Sequence, residues 1–496
     1  MTADPARPVT RLPRVVIAAP GSGHGKTTVA TGLMAALRAA GHAVGGFKVG
    51  PDFIDTGYHA LATGRIGRNL DPVLCGEGLI EPLLLHGARA HGRTDVAVIE
   101  GVMGLFDGRI GGEGFGSTAH VATLTHTPVV LTVDIGSTTR TAAAVVHGLA
   151  TFDPTVRVAG VVLNRAGSDR HGAEARSAFE ATGVPVLGVL PRDATVSAPS
   201  RHLGLVPVQE RDDSGAGVER LADLVAAHVD LDALLEIASS APDLDAHPWD
   251  PATVVGGDRP PAGSGGYRPV VAVAGGPAFT FRYAETEELL HAAGLRAVTF
   301  DPLTDTVLPP GTSGLFIGGG FPEVHADALS ANASLRSAIR RAVWDGLPTV
   351  AECGGLVYLC QSVDGSPMVG ALPAVATMAP RLTIGYRTAV ATTDSVLGEP
   401  GRRVTGHEFH RTVCVAAPES ASGDGRHTAP AWLLDGVADG FALDPSGAGT
   451  ATLHASYLHT HWAGHPELAR RFADALHARA GALVTDRASE RDEVLS

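Results

Sequence analysis

Short runs of β-branched and aliphatic residues alternate with longer amphipathic runs from Arg14 to about residue 237. The apolar runs are RVVIAAP, AVGGFKV, VAVIEGV, PVVLTVD, VAGVVLN and PVLGVLP, and Ala/Leu-rich segments such as residues 28–40 separate them. Each run is apolar almost throughout rather than at alternate positions, which is typical of strands buried on both faces. The pattern therefore predicts an α/β domain with a doubly wound parallel sheet.

Residues 238–267 are rich in Pro, Gly, Ser and Asp and show no apolar period, so we predict a linker there. A second α/β pattern follows, with apolar runs at RPVVAVAGG, GLRAVTF, SGLFIGGG, LPTVAECGG and TATLHASYLH, and then a helix from Pro466. The predicted organisation is a first domain over 11–237, the linker over 238–267, a second domain over 268–482 and a tail over 483–496.

Composition and charge narrow the class of protein. The chain of 496 residues is 44% hydrophobic and 18% charged, as expected of a globular protein with more than one domain. Its net charge of −14 argues against nucleic-acid binding. No apolar run approaches the roughly 20 residues of a membrane helix, and the first residues lack a signal peptide's apolar core. The four cysteines form no CxxC pair, which indicates a reducing, cytoplasmic setting. A homodimer is compatible with the sequence.

The stretch APGSGHGKTT, residues 19–28, joins the first predicted strand to the first predicted helix. A glycine-rich turn in that position directs backbone N–H groups and a helix N-terminus at one point, which binds phosphate. Lys26 would reach the β- and γ-phosphates of a nucleotide, and Thr27 would hold Mg²⁺. Gly23, Gly25 and Thr28 complete the predicted contact surface. Proline at position 20 replaces the first glycine of a strict Walker A loop, so this loop is a variant form.

Two further blocks place carboxylates at strand ends. KVGPDFIDTGYH follows the second predicted strand and contains Lys48, Asp52 and Asp55. IEGVMGLFDG ends the third and contains Glu100 and Asp107. Ligands collect at the carboxyl ends of parallel strands, and carboxylates beside a phosphate loop suit Mg²⁺. The first domain is therefore predicted to bind a nucleotide with magnesium.

The segment LPTVAECGGLVYLC predicts a strand, a tight turn and a helix, with Cys353 at the turn. A cysteine on such an elbow is accessible and faces a helix N-terminus, which favours a nucleophile. A nucleophilic cysteine needs a base. The histidines in place to act as this base are His454, His459, His461 and His465, and His459 ends the predicted strand ATLHASYLH. Gly319 and Gly320 end another strand, and with Gly354 they are predicted to form an oxyanion hole.

KVGPDFIDTGYHALATGRIGRNLD and IEGVMGLFDG resemble signature blocks of the cobyrinate and hydrogenobyrinate a,c-diamide synthases. The resemblance covers nearly all of the chain outside the linker, a loop at 417–430 and the termini. It implies a first domain similar to dethiobiotin synthetase, followed by a flavodoxin-like class I glutamine amidotransferase domain. The implied reaction is amidation of the a and c carboxylates of a corrin polycarboxylate with ATP, Mg²⁺ and glutamine, through acyl phosphates.

The resemblance also implies residue roles in the first domain. Thr27, Asp52 and Glu100 would bind Mg²⁺. Lys26 and Lys48 would face phosphate or the acyl phosphate. Asp55 and Asp107 would lie near the reacting carboxylate. Asn164 and residues 191–193 would contact adenine.

In the second domain, the resemblance is to a branch whose site is a Cys–His pair without a third carboxylate. What orients His459 is therefore open, and His461 falls where the orienting carboxylate would be. The HPE at 465–467 imitates a motif of ordinary class I amidotransferases, but it lies too far beyond the strand. GHEFH, residues 406–410, matches the family without an assigned role.

Alternative functions remain. One is another amide ligase, either a cobyric acid synthase or a sirohydrochlorin diamide synthase, although GPDFID and GLFDG favour the a,c-diamide synthases. The Gly/Ala/Arg-rich composition is typical of a high-GC aerobic bacterium and favours the cobalt-free substrate, hydrogenobyrinate, over cobyrinate. The other is a switch ATPase related to the partitioning proteins, whose loop begins with Lys where this chain has Gly21.

Overall fold

The computed structural model describes residues 10–193, 200–201, 204–205, 207–210, 213–255, 267–417 and 427–494. The chain divides into two compact units, Met1–Trp249 and Asp250–Ser496. This division falls inside the stretch predicted to be a linker. Leu244 there exchanges backbone hydrogen bonds with Thr10, and the buried Trp249 donates its backbone N–H to Pro82, so the start of that stretch is packed into the first unit.

The first unit is built on a parallel sheet. Within the described residues its strands are β1 (Arg14–Ala18), β2 (Val44–Val49), β3 (Arg68–Leu70), β4 (Val96–Glu100), β5 (Val129–Asp134), β6 (Val158–Ala166) and β7 (Val186–Pro191), in the order β3-β2-β4-β1-β5-β6-β7. A short pair, β8 (Ser200–Arg201) and β9 (Gly204–Leu205), stands apart. The predicted parallel α/β fold is confirmed. The edge strand β3 is missing from the prediction because its residues are mostly polar.

The helices of the first unit connect these strands: α1 (Lys26–Ala39), α2 (Asp55–Thr63), α3 (Pro72–Cys75), α4 (Ile80–Arg89), α5 (Thr118–Leu124), α6 (Arg140–Phe152), α7 (Asp169–Glu180), α8 (Ser214–His228) and α9 (Leu231–Ser239), with 3-10 turns at Glu77–Leu79 and Val208–Glu210. Parallel neighbours such as β1 and β4 end at the same edge of the sheet, with Ile17 opposite Glu100. The loops after β1, β2 and β4 therefore meet at one place.

The second unit has its own parallel core sheet. Its strands are β10 (Val270–Ala274), β11 (Arg296–Phe300), β12 (Thr312–Ile317), β13 (Thr349–Glu352) and β22 (Leu453–Ser456), extended by the antiparallel strands β21 (Phe441–Asp444) and β18 (His427–Ala429). Residues 418–426 of the predicted 417–430 loop lie outside the described residues. The helices are α10 (Pro251–Val255), α11 (Ala284–Ala292), α12 (Ala326–Ala331), α13 (Ala333–Trp344), α14 (Gly354–Leu359) and α15 (Pro466–Val494).

A further sheet of this unit is absent from the prediction. It contains β14 (Ser362–Val363), β15 (Ser366–Pro367), the long antiparallel pair β16 (Ala374–Ala391) and β17 (Arg403–Ala416), β19 (Trp432–Leu434), β20 (Val437–Asp439) and β23 (His459–Thr460). The predicted single strand ATLHASYLH is therefore wrong. Its first part, β22, ends at Ser456 in the core sheet, and His459 begins β23, which pairs with β17.

Among the helices of the described chain, none is both long enough and apolar enough to span a bilayer.

Candidate active sites

The phosphate loop adopts a conformation that depends on Gly25. This residue caps α1 with φ 88°, in the left-handed region that glycine adopts most easily. A Cβ at this position would lie 2.3 Å from Asn164 Nδ2, which leaves no room for a side chain. Lys26 Nζ donates to the carbonyl oxygens of Gly21 at 3.0 Å and Met103 at 2.5 Å. The loop is thus held in a closed turn with its lysine folded across it.

A buried cluster of charged groups lies behind the loop. Thr27 Oγ1 donates to Glu100 Oε1 at 2.6 Å and lies 3.2 Å from Asp55 Oδ2. Lys48 Nζ donates to the same two carboxylates, at 2.6 Å to Asp55 and 2.9 Å to Glu100. Two of the predicted site residues, Asp55 and Glu100, are therefore in direct contact with the phosphate-loop threonine, and Lys48 contacts both of them. Lys48 lies between the carboxylates, with only 4% of its side chain exposed.

The pKa shifts of the cluster follow from its burial and charge. Burial lowers the pKa of Lys48, but Asp55 and Glu100 raise it more, so the ammonium is charged. Burial raises the pKa of Glu100, yet Lys48 and the hydrogen bond from His59 hold it below its usual range. Burial, followed by the charges of Asp52 and Glu100, raises the pKa of Asp55 well above its usual value. The raised pKa favours the protonated form of Asp55, and a cation bound beside it would favour the ionised form instead.

Mg²⁺ prefers oxygen ligands, especially carboxylates. The described residues contain no group of three or more His, Cys, Asp or Glu side chains arranged to hold a metal ion. Three oxygens nevertheless lie close together: the Thr27 hydroxyl is 2.6 Å from Glu100 Oε1 and 3.2 Å from Asp55 Oδ2. This donor set fits Mg²⁺ chemically, and it includes two of the three predicted metal residues.

The third predicted metal residue, Asp52, has a different contact. Its Oδ1 accepts backbone N–H bonds from Ile54 at 2.9 Å and Asp55 at 2.8 Å, so it stabilises the start of α2. Asp107 is exposed, and its Oδ2 accepts a hydrogen bond from the Gly104 N–H at 3.1 Å. The structure brings neither carboxylate into hydrogen-bond contact with Thr27, Lys48 or Glu100.

Asn164 contacts the phosphate loop through its side chain, with Nδ2 donating to the His24 carbonyl at 3.0 Å. His24 Nδ1 in turn accepts the Asp134 backbone N–H at 3.0 Å, and Arg165 donates to Gly23 O at 2.9 Å. These contacts fix Gly23 and Gly25 from the β5 and β6 side of the sheet. Sequence reasoning missed His24 and Asp134, because they come together only across neighbouring strands.

His59 is also missing from the sequence prediction. It is fully buried, and its Nε2 lies 2.6 Å from Glu100 Oε2, the oxygen that Thr27 and Lys48 leave free. Asp55 and His59 are four residues apart on α2, so they share one face of that helix. That spacing of four residues was the sequence signal that could have placed His59 near the predicted site residue Asp55.

In the second unit, Cys353 occupies the predicted elbow between β13 and α14. Its backbone has φ 50° and ψ −104°, a strained conformation for a residue with a side chain. A Cβ on Gly355 would lie 2.2 Å from the Ile317 carbonyl oxygen, so the helix can approach β12 only because glycine follows the cysteine. The Cys353 thiol lies 3.7 Å from the Phe409 carbonyl, its acceptor on β17.

Burial, followed by the charge of Glu323, raises the pKa of the Cys353 thiol well above its usual value. The resting cysteine is therefore a thiol and needs a base to become a nucleophile.

His459 is fully buried beside the strand-end glycines. A Cβ on Gly319 would lie 2.4 Å from His459 Cε1, so glycine there leaves room for the imidazole. Gly319 was predicted to be an oxyanion donor, but its N–H already donates to the Phe281 carbonyl at 3.2 Å. A Cβ on Gly354 would lie 2.9 Å from the Gly320 nitrogen, so these two predicted donors are close neighbours.

The other histidines of the region have different contacts. His465 Nε2 accepts the Thr405 backbone N–H at 3.1 Å, which ties it to the start of β17. His454 Nδ1 lies 3.2 Å from Ser395 Oγ. GHEFH forms part of β17, and its His407 pairs with His459 across the β17–β23 ladder. The motif therefore forms the strand that flanks the candidate base.

Comparison with known families agrees with both halves of this description. Residues 15–206 match the CobQ/CobB/MinD/ParA nucleotide binding domain, and residues 270–467 match the CobB/CobQ-like glutamine amidotransferase domain. Hydrogenobyrinate a,c-diamide synthase of Thermobifida fusca is 59% identical, over 95% of this chain and 98% of that protein. The enzyme of the same name from Streptomyces coelicolor is 52% identical, over 93% and 97%. Cobyrinate a,c-diamide synthase of Synechococcus is 41% identical, over 93% and 98%.

Fold, sites and domain matches together define a glutamine-dependent amide-forming ligase with a phosphate-loop nucleotide-binding domain and a glutamine amidotransferase domain. Identity at this level over nearly the whole chain narrows the class further. The chain belongs to the family of the hydrogenobyrinate and cobyrinate a,c-diamide synthases.

Proposed function

We propose that the protein uses ATP and glutamine to amidate the a and c carboxylates of hydrogenobyrinate, a step of cobalamin biosynthesis. One structural observation carries the proposal. The same chain contains two sites. One is Cys353, which lies on a strained turn and whose thiol needs a base, and the other is a phosphate loop that contacts the cluster of Thr27, Lys48 and Glu100. A thiol that hydrolyses an amide and a loop that binds a nucleotide are the two components that amidation of a carboxylate with glutamine nitrogen requires.

In the amidotransferase unit, His459 would take the proton of the Cys353 thiol as the sulfur attacks the glutamine amide carbon. The amide C–N bond then breaks, and the same proton leaves with the nitrogen as ammonia. Water hydrolyses the thioester and releases glutamate. Gly320 and Gly354 are the proposed backbone donors for the transient oxyanion, since the Gly319 N–H is already bonded.

In the nucleotide-binding unit, a substrate carboxylate oxygen would attack the γ-phosphorus of ATP, which forms an acyl phosphate and releases ADP. Ammonia then attacks the acyl carbon, phosphate leaves, and an amide remains. A free carboxylate is a poor acyl donor, so this activation is chemically required. Lys26 and the backbone N–H groups after Gly23 would bind the phosphates, with Thr28 next to them at the helix start.

Bound Mg²⁺ would supply positive charge for the phosphoryl transfer. Thr27, Glu100 and Asp55 are the residues we propose to hold it, on the strength of their converging oxygens. Asp55 here replaces Asp52, whose Oδ1 bonds the start of α2. Lys48 lies in the same cluster and would keep Glu100 ionised, whereas Asp55, whose pKa is raised by burial, would be kept ionised by the bound cation. Asp107, exposed on the loop after β4, stays our proposed contact to the reacting carboxylate.

One N–H of the Asn164 amide is bonded to the phosphate loop, which supports a loop-fixing role. Its second N–H and its oxygen are the groups we propose for contact with adenine.

The cobalt-free substrate is supported by the relatives named for it, which are 59% and 52% identical, against 41% for the Synechococcus enzyme named for cobyrinate. Measurement of ATP hydrolysis and amide formation with each macrocycle tests this choice directly. We expect glutamine-dependent turnover with hydrogenobyrinate to exceed that with cobyrinate. Glutamine-independent ATP hydrolysis without amide formation would instead favour a switch ATPase.

We further propose a cytoplasmic location, supported by four cysteines that are all free of disulfides. A homodimer remains a proposal from the sequence, and sedimentation equilibrium would measure it.

A further inference from the structure

The imidazole of His459 has little freedom to rotate. It is fully buried, its strand pairs with β17 opposite His407, and Gly319 contacts its Cε1 edge. Its Nδ1 lies 3.8 Å from Glu352 Oε2, and the two side chains are 0% and 10% exposed. Glu352 is the residue immediately before the cysteine nucleophile, at the end of β13.

The second oxygen of Glu352 fixes the direction of this carboxylate. Glu352 Oε1 accepts both the backbone N–H of Thr460, at 3.2 Å, and its hydroxyl, at 2.8 Å. The hydroxyl in turn accepts the Trp462 Nε1–H at 3.0 Å. With Oε1 held by the residue next to His459, Oε2 is the oxygen that faces the imidazole.

Two other titratable side chains near His459 in the described part of the chain are histidines, His461 and His407. His461 occupies the position expected for the orienting acid, but its Nε2 lies 3.7 Å from Glu285, and its ring centroid lies 4.2 Å from that of Tyr283, with the two planes tilted by 31°. His407 faces His459 from β17. Burial, then His459 and Arg387, lower the pKa of His407 to about 3, so it is neutral at working pH.

We propose that Glu352 is the positioning residue for His459. It would hold the tautomer that carries a proton on Nδ1, leave Nε2 free to accept the Cys353 proton, and stabilise the imidazolium that forms. The orienting carboxylate, Glu352, thus comes from the end of β13, directly before Cys353, rather than from the segment after His459. A separation of 3.8 Å is longer than a hydrogen bond, and such contacts often shorten when substrate binds.

This inference rests on the proposed glutaminase site, so the first measurement is glutamate release by wild type and Cys353→Ala. Release that survives in Cys353→Ala would overturn the proposed function itself. If release depends on Cys353, the inference is tested separately in Glu352→Gln, which keeps an oxygen for Thr460 but removes the negative charge. Glu323→Gln is the matched control, because Glu323 also raises the pKa of Cys353.

Loss of either carboxylate favours the thiolate, so charge alone predicts no loss of rate in either variant. We expect kcat of Glu352→Gln to fall on the order of tenfold to a hundredfold, with KM for glutamine within about twofold. The acid limb of its kcat/KM profile should move to lower pH, because the imidazolium loses its counter-charge. Glu323→Gln should leave that limb in place.

If Glu352 had only a structural role, Glu352→Gln would lower the melting temperature without moving the acid limb of the kcat/KM profile. If Glu352→Gln fails to fold, Glu352→Asp retains the charge but shortens the reach to Nδ1, and kcat should still fall. A folded Gln or Asp variant with kcat within twofold of wild type would overturn the inference.

Discussion

Thr27 Oγ1, at the start of the helix after the phosphate loop, lies 2.6 Å from Glu100 Oε1, although 73 residues separate the two in the chain. The contact forms because β1 and β4 are parallel neighbours that end at the same edge of the sheet. It connects the loop that would bind phosphate to the buried charges that would hold magnesium. The nucleotide site therefore depends on the register of the central strands as much as on the loop sequence.

Gly25→Ala should weaken ATP binding. The substitution places a methyl group 2.3 Å from Asn164 Nδ2 and forces φ 88° on a residue with a Cβ. Gly21→Ala is the matched control, since its Cβ would meet nothing within 4 Å. Calorimetric titration with ATP should show a loss of at least about tenfold in affinity for Gly25→Ala and a smaller change for Gly21→Ala. Equal effects would contradict this account of the loop.

ATP affinity should fall as pH rises from 7 to 9. Burial, with the charge of Lys48 next, lowers the pKa of Lys26 to about 8 in the ATP-free protein. Below that pH Lys26 is positively charged and attracts phosphate, and above it the charge is lost. We expect the Kd for ATP to be about tenfold higher at pH 9 than at pH 7. In Lys26→Arg the guanidinium stays charged, so this pH dependence should disappear, and its persistence would assign the effect to another group.

His59→Leu should destabilise the first unit by about 1–3 kcal/mol, because Glu100 Oε2 would be left buried without its partner. The control is His120→Leu, which breaks a more exposed His–Glu pair, to Glu77, and a hydrogen bond from the Gly116 N–H. It should cost less than about 1 kcal/mol, because water can reach the carboxylate left behind. Urea unfolding of both variants measures the difference. A similar loss in the two would mean that burial does not govern the His59 contact.

Cys353→Ala should abolish glutamine hydrolysis while amidation with added ammonium salt continues. The thiol acts only on glutamine, whereas the acyl phosphate accepts ammonia from any source. Cys360→Ala serves as the control, since Cys360 is a fully buried thiol at the other end of α14. Coupled assays of glutamate and amide would reveal the split, and loss of ammonia-dependent amidation in Cys353→Ala would contradict separate sites.

Lys26→Ala should give the reverse pattern, with amidation lost and glutamine hydrolysis retained. In the described part of the chain, the Lys26 ammonium donates to the carbonyl oxygens of Gly21 and Met103, both in its own unit. The same pair of assays measures this outcome. Loss of both activities would show that glutamine hydrolysis depends on an occupied nucleotide site.

Most parallel strands of the two core sheets, and the helices between them, were readable along the chain from the sequence, because apolar runs and glycine turns are local signals. The phosphate loop and the Cys353 elbow were readable for the same reason, since each lies within about ten consecutive residues. The β16–β17 pair was missed because its strands are only partly buried, so neither an unbroken apolar run nor a strict alternation marks them.

Only the tertiary structure decided which side chains meet. The contacts of His59 with Glu100 and of Glu352 with His459 join residues 41 or more positions apart. Such contacts depend on strand order and register, which a single residue pattern does not encode. Likewise, Gly319 is explained by the room His459 needs rather than by a free N–H, because the chain around His459 leaves the core sheet after Ser456 and pairs with β17.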